Sequence, residues 1–452
     1  MNSKYKFVIA CSAVCALSAA LTSCKFEEDD YFSEDAALRI ENQAVDIKKT
    51  LVAAENGWVM QYFCGTGAAH FEGFNILARF NADNTVTLAS NHRYLRDGNA
   101  GKFTESTSLY EMLLEDGPVL ALNTWNDVLT PFVDPVSPWQ APRAIVKDGS
   151  GMQGDNNLIV MSCDAAEVLL RGERHGGRSR LVPCDRPWES YLQACDSMKE
   201  TITNPLIPSY YIAEAADAGM EKALYITGLR NGGRLRFSER LDDPFKNDSL
   251  AAVFTPRGFR LEHVDTIGES TFQEFFLNAD TTCLATADGG VRLVPCWDKY
   301  IVEDRNTLWN FDLAQFSEAQ KTLWEQLDAE FSAFNKSYSL ASIGLGRSTG
   351  SNAVKGLVIT FYTNAGKTKT NTAGLALDAS RPKYGQMQLS TPEESKMDRN
   401  LTSISAKTNA EQLATQLAAS LVGVYDITPN SYFNPTACEL QQQGGTAKYT
   451  LK

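Results

Sequence analysis

Phe74-Asn75-Ile76-Leu77-Ala78-Arg79-Phe80, Asn81-Ala82-Asp83-Asn84 and Val86-Thr87-Leu88-Ala89 follow one another with only Thr85 between the last two. Two short runs rich in aromatic and branched residues flank a cluster of Asn and Asp, side chains that tolerate tight-turn backbone angles, so the stretch predicts an antiparallel hairpin. Trp58–Phe63 upstream is a run of the same kind. Before it, Ala37, Ile40, Ala44, Ile47 and Leu51 recur at spacings of three and four, which puts them on one stripe of a helix from Asp35 to Glu55, ended by Asn56 and Gly57. A helix leading into a β-meander is the expected opening of the fold.

Further strands are expected at Val119–Leu122, Leu158–Cys163, Val168–Arg171 and Arg180–Pro183, while Pro135 and Pro138 keep the loop Asp134–Gln140 out of any sheet interior. Asp185 and Pro187 open a second helix with Trp188, Tyr191, Leu192, Cys195 and Met198 at helical spacing, and the β pattern then resumes. Leu181-Val182-Pro183-Cys184 returns as Leu293-Val294-Pro295-Cys296, each with an Asp-Pro pair upstream, Asp134-Pro135 and Asp243-Pro244. That spacing predicts two β units of related design.

In the last third, Phe316, Leu323, Leu327, Phe331 and Phe334 make an apolar helical stripe begun by a Ser317–Gln320 capping box. Strands near Ser339–Leu345 and Leu357–Thr363 follow, then a polar loop including Gly366–Thr372, and a helix from Thr408 with Leu413, Leu417 and Leu421 on one face and Gly423 as its stop. The fold class expected is α+β, mostly β: antiparallel meander sheets, barrel-like and weakly repeated, with packing helices and a C-terminal α+β unit. The expected division is 1–23 signal peptide, 24–34 acidic tether, 35–186 helix plus antiparallel β unit, 187–305 a second, related β unit, and 306–452 the C-terminal unit.

The amino terminus carries the most specific motif. Lys4 and Lys6 precede fifteen mostly apolar residues, Phe7–Leu21, and Leu21-Thr22-Ser23-Cys24 closes them as a bacterial lipobox. A membrane-spanning helix needs about 20 apolar residues, so this run reads as a cleaved signal rather than a span. Cys24 is then the lipidation site, its thiol taking a diacylglycerol; each buried CH₂ contributes about 0.8 kcal/mol, and two or three acyl chains anchor far more firmly than one. Lys25-Phe26-Glu27-Glu28-Asp29-Asp30 reads as a solvated tether and resembles the acidic export signal of surface-exposed Bacteroidota lipoproteins. An outer-membrane anchor facing the cell exterior is expected over a periplasm-facing one.

With 452 residues, 43% hydrophobic and 21% charged, the chain can bury real cores. Its formal net charge of −13, which moves to −15 without Lys4 and Lys6, argues against nucleic acid as a partner. Of ten cysteines, Cys64, Cys163, Cys184, Cys195, Cys283, Cys296 and Cys438 lie beyond the lipobox, without any CxxC spacing, and read mainly as small buried hydrophobes.

Enzymatic motifs are few. Gly346-Arg347-Ser348-Thr349-Gly350 matches a nucleophile elbow in pattern, but a strand follows it and no histidine occurs after His263 to act as base, so a glycine-rich hairpin is expected. His70, His92, His175 and His263 are too scattered to form a local zinc site, and no metal or cofactor is expected. Paired carboxylates for hydrolysis leave no trace in sequence and stay open as an alternative. For binding, Arg171, Arg174 and Arg178, with His175 and Arg180, crowd one turn and suit a carboxylate or sulfate, or else form a charged hairpin tip. Trp139, in the proline-stiffened loop, suits a flat platform for a sugar or peptide, or else plugs the end of a sheet.

Glu55–Phe63, Gly73-Phe74-Asn75, the strand Arg79–Ala89, Asn123-Thr124-Trp125-Asn126, Phe132–Pro135 and Gly154-Asp155 together resemble a recurrent family of Bacteroidota lipoproteins known only as domain of unknown function 4302. The chain departs from it in having Asn156 and Asn157 where the family shows aromatic and acidic residues, and Thr130 where it shows a histidine. The resemblance implies a setting like that of accessory lipoproteins in nutrient-uptake loci, beside a TonB-dependent transporter and its capture lipoprotein, and supplies no catalytic residues. The expected function is a surface-anchored, non-enzymatic accessory in capture of a glycan, peptide or cofactor; the alternatives are an extracytoplasmic hydrolase and a structural envelope-interaction protein.

Overall fold

The computed structural model describes residues 36–65, 72–134, 151–203, 211–215, 224–227, 234–238, 249–267 and 269–452. Helix α1 (Ala36–Ala53) buries Ala44, Ile47 and Leu51 on its inner stripe. The turn after it needs Gly57: φ is 71°, and a side chain there would meet the Ala78 carbonyl at 2.6 Å.

Strands β1 (Trp58–Tyr62), β2 (Phe74–Phe80), β3 (Thr85–Ser90), β4 (Thr104–Leu109), β5 (Glu111–Leu114) and β6 (Pro118–Ala121) precede a short helix, α2 (Thr130–Val133). After it come β7 (Asn157–Cys163), β8 (Val168–Gly172) and β9 (Arg178–Pro183). All pair antiparallel in the order β4-β3-β2-β1-β9-β8-β7-β6-β5. The two ends of that order are neighbours in the chain, separated by Tyr110 alone. β4 pairs with β3 and β5 pairs with β6, so the two are halves of one bent strand that brings the meander back upon itself.

Helix α3 (Trp188–Ile202) leads into the second meander. Strands β10 (Tyr211–Ala215), β11 (Leu224–Thr227), β12 (Arg234–Ser238), β13 (Ser249–Thr255), β14 (Gly258–Ile267), β15 (Ser270–Leu277), β16 (Leu284–Ala285) and β17 (Val291–Pro295) form a closed barrel. Its fourth strand repeats the device, for Ser249–Ala251 pair with β12 and Ala252–Thr255 pair with β14.

The third unit begins with α4 (Trp297–Lys299), β18 (Trp309–Asn310) and α5 (Glu318–Phe334), and continues through β19 (Ser339–Arg347), β20 (Lys355–Tyr362), β21 (Thr370–Ala376), β22 (Asp378–Ser380) and β23 (Gln386–Ser390). Helices α6 (Arg399–Ser405) and α7 (Ala410–Ser420) precede β24 (Gly423–Pro429), β25 (Cys438–Gln442) and β26 (Lys448–Leu451). Leu377 alone separates β21 from β22, the edges of a four-stranded and a five-stranded sheet. At their other edges the sheets meet through the Phe311–Leu451 bridge and reciprocal backbone bonds of 2.9 Å between Asn310 and Lys452.

One plan therefore occurs three times: an up-and-down meander whose fourth strand bends to serve two neighbours and whose last strand pairs with its first. The registers correspond. Leu181 faces Met60, Leu293 faces Ala213 and Leu451 faces Phe311, all buried. Two residues before each of those partners stands an aromatic, Trp58, Tyr211 or Trp309. Trp58 Nε1 donates to Leu51 O at 2.9 Å, and the Tyr211 hydroxyl donates to Ile202 O at 2.5 Å, so the first two aromatics each tie their strand to the helix before it.

The repeated Leu-Val-Pro-Cys is thus the end of the closing strand in the first two units, with Pro183 and Pro295 opposite Trp58 and Tyr211. The Asp-Pro pairs do not correspond in the same way. Asp134 follows the fifth strand position, whereas Asp243-Pro244, outside the described residues, falls between the third and fourth. The mostly β, antiparallel, repeated class with packing helices is the class observed. One local expectation changes: Thr370-Asn371-Thr372 is the start of β21 rather than loop, since an exposed strand end accepts polar residues.

Leu181, Leu293 and Leu451 are each fully buried at the closing register. Alanine at any one of them is expected to cost about 2–5 kcal/mol, read as a lower urea midpoint; an exposed-like cost at one site would break the equivalence of the three units.

Candidate functional site

A cleft of about 230 Å³ opens where the first meander, α3 and the barrel meet. Its floor is Phe74, Leu192 and Phe254, and its walls include Glu72, Asn75, Arg93, Asp196 and Lys199. The seam below it is set by backbone. Gly73 N donates to Ala252 O at 2.9 Å, and Asn75 Nδ2 donates to Phe254 O at 2.7 Å, so the lead-in to β2 is stitched onto β13. Gly73 is required there, because a Cβ would lie 2.5 Å from the Phe63 ring and 2.7 Å from Val253 Cβ.

Glu72 organises the charged side chains. It is buried, with Oε1 2.9 Å from Arg93 Nη2 and Oε2 3.6 Å from Lys199 Nζ. Arg93 also lies 5.0 Å over the Tyr94 ring, and the Lys199 ammonium lies 5.6 Å from the Phe254 ring centroid. Across the cleft, Asn91 Nδ2 donates to Asp196 Oδ2 at 2.7 Å, and partial burial raises the Asp196 carboxyl above its ordinary range. Two cations, two carboxylates and two amides over an aromatic floor make a surface for a small ligand with both charged or hydroxyl groups and an apolar face.

His92 stands behind this wall and belongs to the frame. Nε2 bonds Val128 O at 2.8 Å while Nδ1 accepts from Tyr94 N at 3.2 Å, which fits the neutral ring. Burial pushes its pKa down to about 4.

The arginine turn resolves into two functions. Arg171, Arg174 and Arg178 are exposed at the β8–β9 hairpin, with Arg171 and Arg178 directly opposite one another. The turn is held by Asp155, whose carboxylate accepts from Arg174 N at 3.0 Å and His175 N at 3.1 Å. Gly172 is the only residue that fits, as a Cβ would lie 2.0 Å from Asp155 Oδ2. Tyr62 braces Asp155 in turn, donating to its carbonyl at 2.9 Å and accepting from its amide at 2.7 Å. The Gly154-Asp155 pair is thus a structural clamp.

Arg180, two residues further along the same face of β9, reaches into the seam with the barrel. Its Nε donates to Gln61 Oε1 at 2.6 Å, Nη1 to Glu167 at 3.0 Å and Nη2 to Glu274 at 2.8 Å. Beside it lie Arg260, lowered to about 10 by burial and then by the Arg180 charge, and Glu262, whose carboxyl burial raises to about 7 although Arg178 N donates to it at 3.2 Å.

Cys24 and Trp139 lie outside the described residues. The seven cysteines from Cys64 onward are free thiols, all buried except the half-buried Cys163. Gly346–Gly350 runs from the end of β19 into the turn before β20, where Ser348 Oγ accepts from Val354 N at 3.1 Å. Among the described residues no group of three or more His, Cys, Asp or Glu is placed to hold a metal, and no helix is long and apolar enough to cross a membrane. Sequence reading missed Glu72, Arg93 and Lys199, which only the packing of α3 brings together.

The chain belongs to the family described as Domain of unknown function (DUF4302), whose model matches residues 28–279. That span holds the whole cleft. No curated protein matches the chain. A crystal structure of the DNA polymerase III beta chain from Streptococcus pneumoniae TIGR4 aligns at 10% identity over 91% of this chain and 96% of that one, but with a TM-score of 0.12, too low to indicate a shared fold.

Two buried groups give opposite pH signatures. His92 takes no proton in the folded state until about pH 4, so stability falls as pH drops from 6.5 through that value, by up to about 3 kcal/mol, and His92→Gln is expected to flatten this limb in urea titrations. Glu262 acts in reverse. With its folded pKa raised to about 7, its contribution is full below 4.5 and lost as pH rises through 7, so Glu262→Gln is expected to be more stable than the parent at pH 8 and near equal to it at pH 4.5.

Proposed function

We propose that the chain is a lipid-anchored lipoprotein of the Bacteroidota outer membrane, facing the cell exterior, that serves as a non-enzymatic accessory in nutrient capture. The Glu72–Arg93–Lys199 arrangement at the three-element cleft carries the binding half of this reading. Each Glu72 oxygen already has a cationic partner, which fits the carboxylate to position Arg93 and Lys199 rather than to transfer a proton. The two cations, 55% and 38% exposed, remain available to an anionic or hydroxyl group of a ligand. The cleft volume suits one sugar ring, one amino-acid residue or a comparable fragment of a cofactor.

The address follows from Cys24, which stands a short acidic tether ahead of α1. Acylation there would hold the cleft close to the membrane, where a TonB-dependent transporter and its capture lipoprotein are the partners proposed. A hydrolase is the second reading, because Glu72 and Asp196 line one cleft.

Mature protein screened by thermal shift against free amino acids, monosaccharides and uronic acids is expected to give a ligand whose affinity drops at least tenfold in both Arg93→Ala and Lys199→Ala. A response unchanged in both variants, or none across the panel, defeats the binding reading; turnover of a glycan that Glu72→Gln or Asp196→Asn abolishes would install the hydrolase. For the anchor, Cys24→Ala is expected to lose palmitate label and membrane retention.

A further inference from the structure

Trp125 is 58% exposed, while Trp58, Trp188, Trp297 and Trp309 are buried. A singly exposed aromatic is ordinary on a protein surface, and what distinguishes this one is how firmly it is held. Here the backbone on both sides is fixed. Thr124 Oγ1 accepts from Leu109 N at 2.7 Å and donates to Leu109 O at 3.3 Å. Asn126, 1% exposed, donates from Nδ2 to Ser106 O and Ser108 Oγ, both at 3.0 Å, and accepts from Val128 N at 3.0 Å. Asp127 N donates to Ser106 Oγ at 3.1 Å. The loop is thereby pinned to the bent strand β4 on either side of the ring.

The ring itself is also oriented. Its Nε1 donates to Asp127 Oδ1 at 2.7 Å, and the Arg96 guanidinium lies 5.0 Å over the ring, held by Asp134 at 3.0 Å. A flat aromatic face is thus presented rigidly, with a carboxylate at its edge, a guanidinium over the ring and the exposed Asn123 amide two residues before it.

We infer that Trp125 is a carbohydrate platform, binding pyranose rings of a neutral glycan. The C–H face of a pyranose stacks on the indole face opposite the Arg96 guanidinium, while its hydroxyls radiate in the sugar's plane toward Asp127 as acceptor and Asn123 as donor. A protein partner would call for an apolar patch of several hundred Å², whereas beside Trp125 the exposed residues are the polar Asn123, Thr124 and Asp127 and one apolar side chain, Leu109. A pre-fixed aromatic also spends little conformational entropy on binding. The surface is distinct from the cleft: Arg93 of the segment after β3 lines the cleft, and Arg96 of the same segment caps Trp125. The inference therefore stands independently of what the cleft binds.

Affinity electrophoresis of the mature protein through gels containing starch, xylan, mixed-linkage β-glucan, galactomannan or arabinan tests it. Retardation is expected in at least one gel, reduced at least tenfold in affinity by Trp125→Ala and largely kept by Trp125→Phe. Acrylamide quenching of tryptophan fluorescence by the parent protein is expected to fall when the retarding glycan is added, while melting temperatures of parent and Trp125→Ala stay alike. No retardation in any gel, retardation indifferent to Trp125→Ala, or Trp125-dependent binding of a peptide library in place of the glycans overturns the inference.

Discussion

The return of the last strand to the first is the constraint on which the three meanders depend. A meander left open exposes two rows of backbone donors and acceptors, an invitation to pair with another chain. Pairing β9 with β1, β17 with β10 and β26 with the β18 segment removes one pair of edges in each unit. The bends at Tyr110 and Leu377, and the split pairing of β13, take care of the other pair. Tyr110 explains how such a corner survives: its ring is buried against Phe80 at 5.0 Å between centroids, its amide donates to Asn84 O at 2.9 Å and its hydroxyl to Asn81 O at 2.9 Å. The hairpin turn Asn81–Asn84 thus anchors the bend as well as reversing β2 into β3.

Closed units leave little edge through which to join, so they meet by side chains and short backbone stitches. The seam between the first sheet and the barrel combines apolar contact, Phe63 with Ala251 and Val253, with the buried charges of Arg260 and Glu262 and the half-buried pair Arg180–Glu274. Buried ions contribute little net stability once desolvation is counted, but a broken pair costs heavily. Arg180 has three fixed acceptors on both sides of the seam, so sliding the barrel along the sheet would strand a guanidinium. Direction is what these charges supply, while apolar burial supplies the bulk of the cohesion.

Local chemistry made part of this fold legible in the sequence. The Asn81–Asn84 turn, the Gly57 stop and the Ser317–Gln320 box each act within a few residues, and all three occur, the last with both reciprocal bonds. Leu-Val-Pro-Cys was legible as repetition because the closing strand has one environment in two units: an inward leucine, a proline where the ladder ends and a buried cysteine. The third copy was not legible, since its closing leucine, Leu451, is followed by Lys452 where the first two units have a valine. The bent strands were opaque for another reason. Thr104–Leu109 is Thr-Glu-Ser-Thr-Ser-Leu, half-solvated and polar, so hydrophobic periodicity says nothing there. The cleft was opaque too, since no local spacing links Glu72 to Lys199. Among the arginines, sequence crowding marked the right hairpin but could not separate Arg180, which shares a strand face with Arg178 yet lies two residues further from the tip and over the barrel, from three residues left in solvent.

The same geometry explains why sites arise where they do in this chain. Within each meander the described interior is filled by side chains, as Phe259, Phe272, Phe275 and Leu293 fill the barrel. An eight-stranded barrel is just wide enough for that packing. Concavity then has to come from junctions, where a convex unit, a helix and a connecting segment cannot tile space completely. The segment 91–103, between β3 and β4, lies at such a junction and is fixed by His92 from behind. Arg93 on it meets the buried Glu72 of the cleft and Arg96 meets the exposed indole of Trp125. Because burial holds His92 neutral down to about pH 4, its two bonds to Val128 and Tyr94 are kept at every pH above that value.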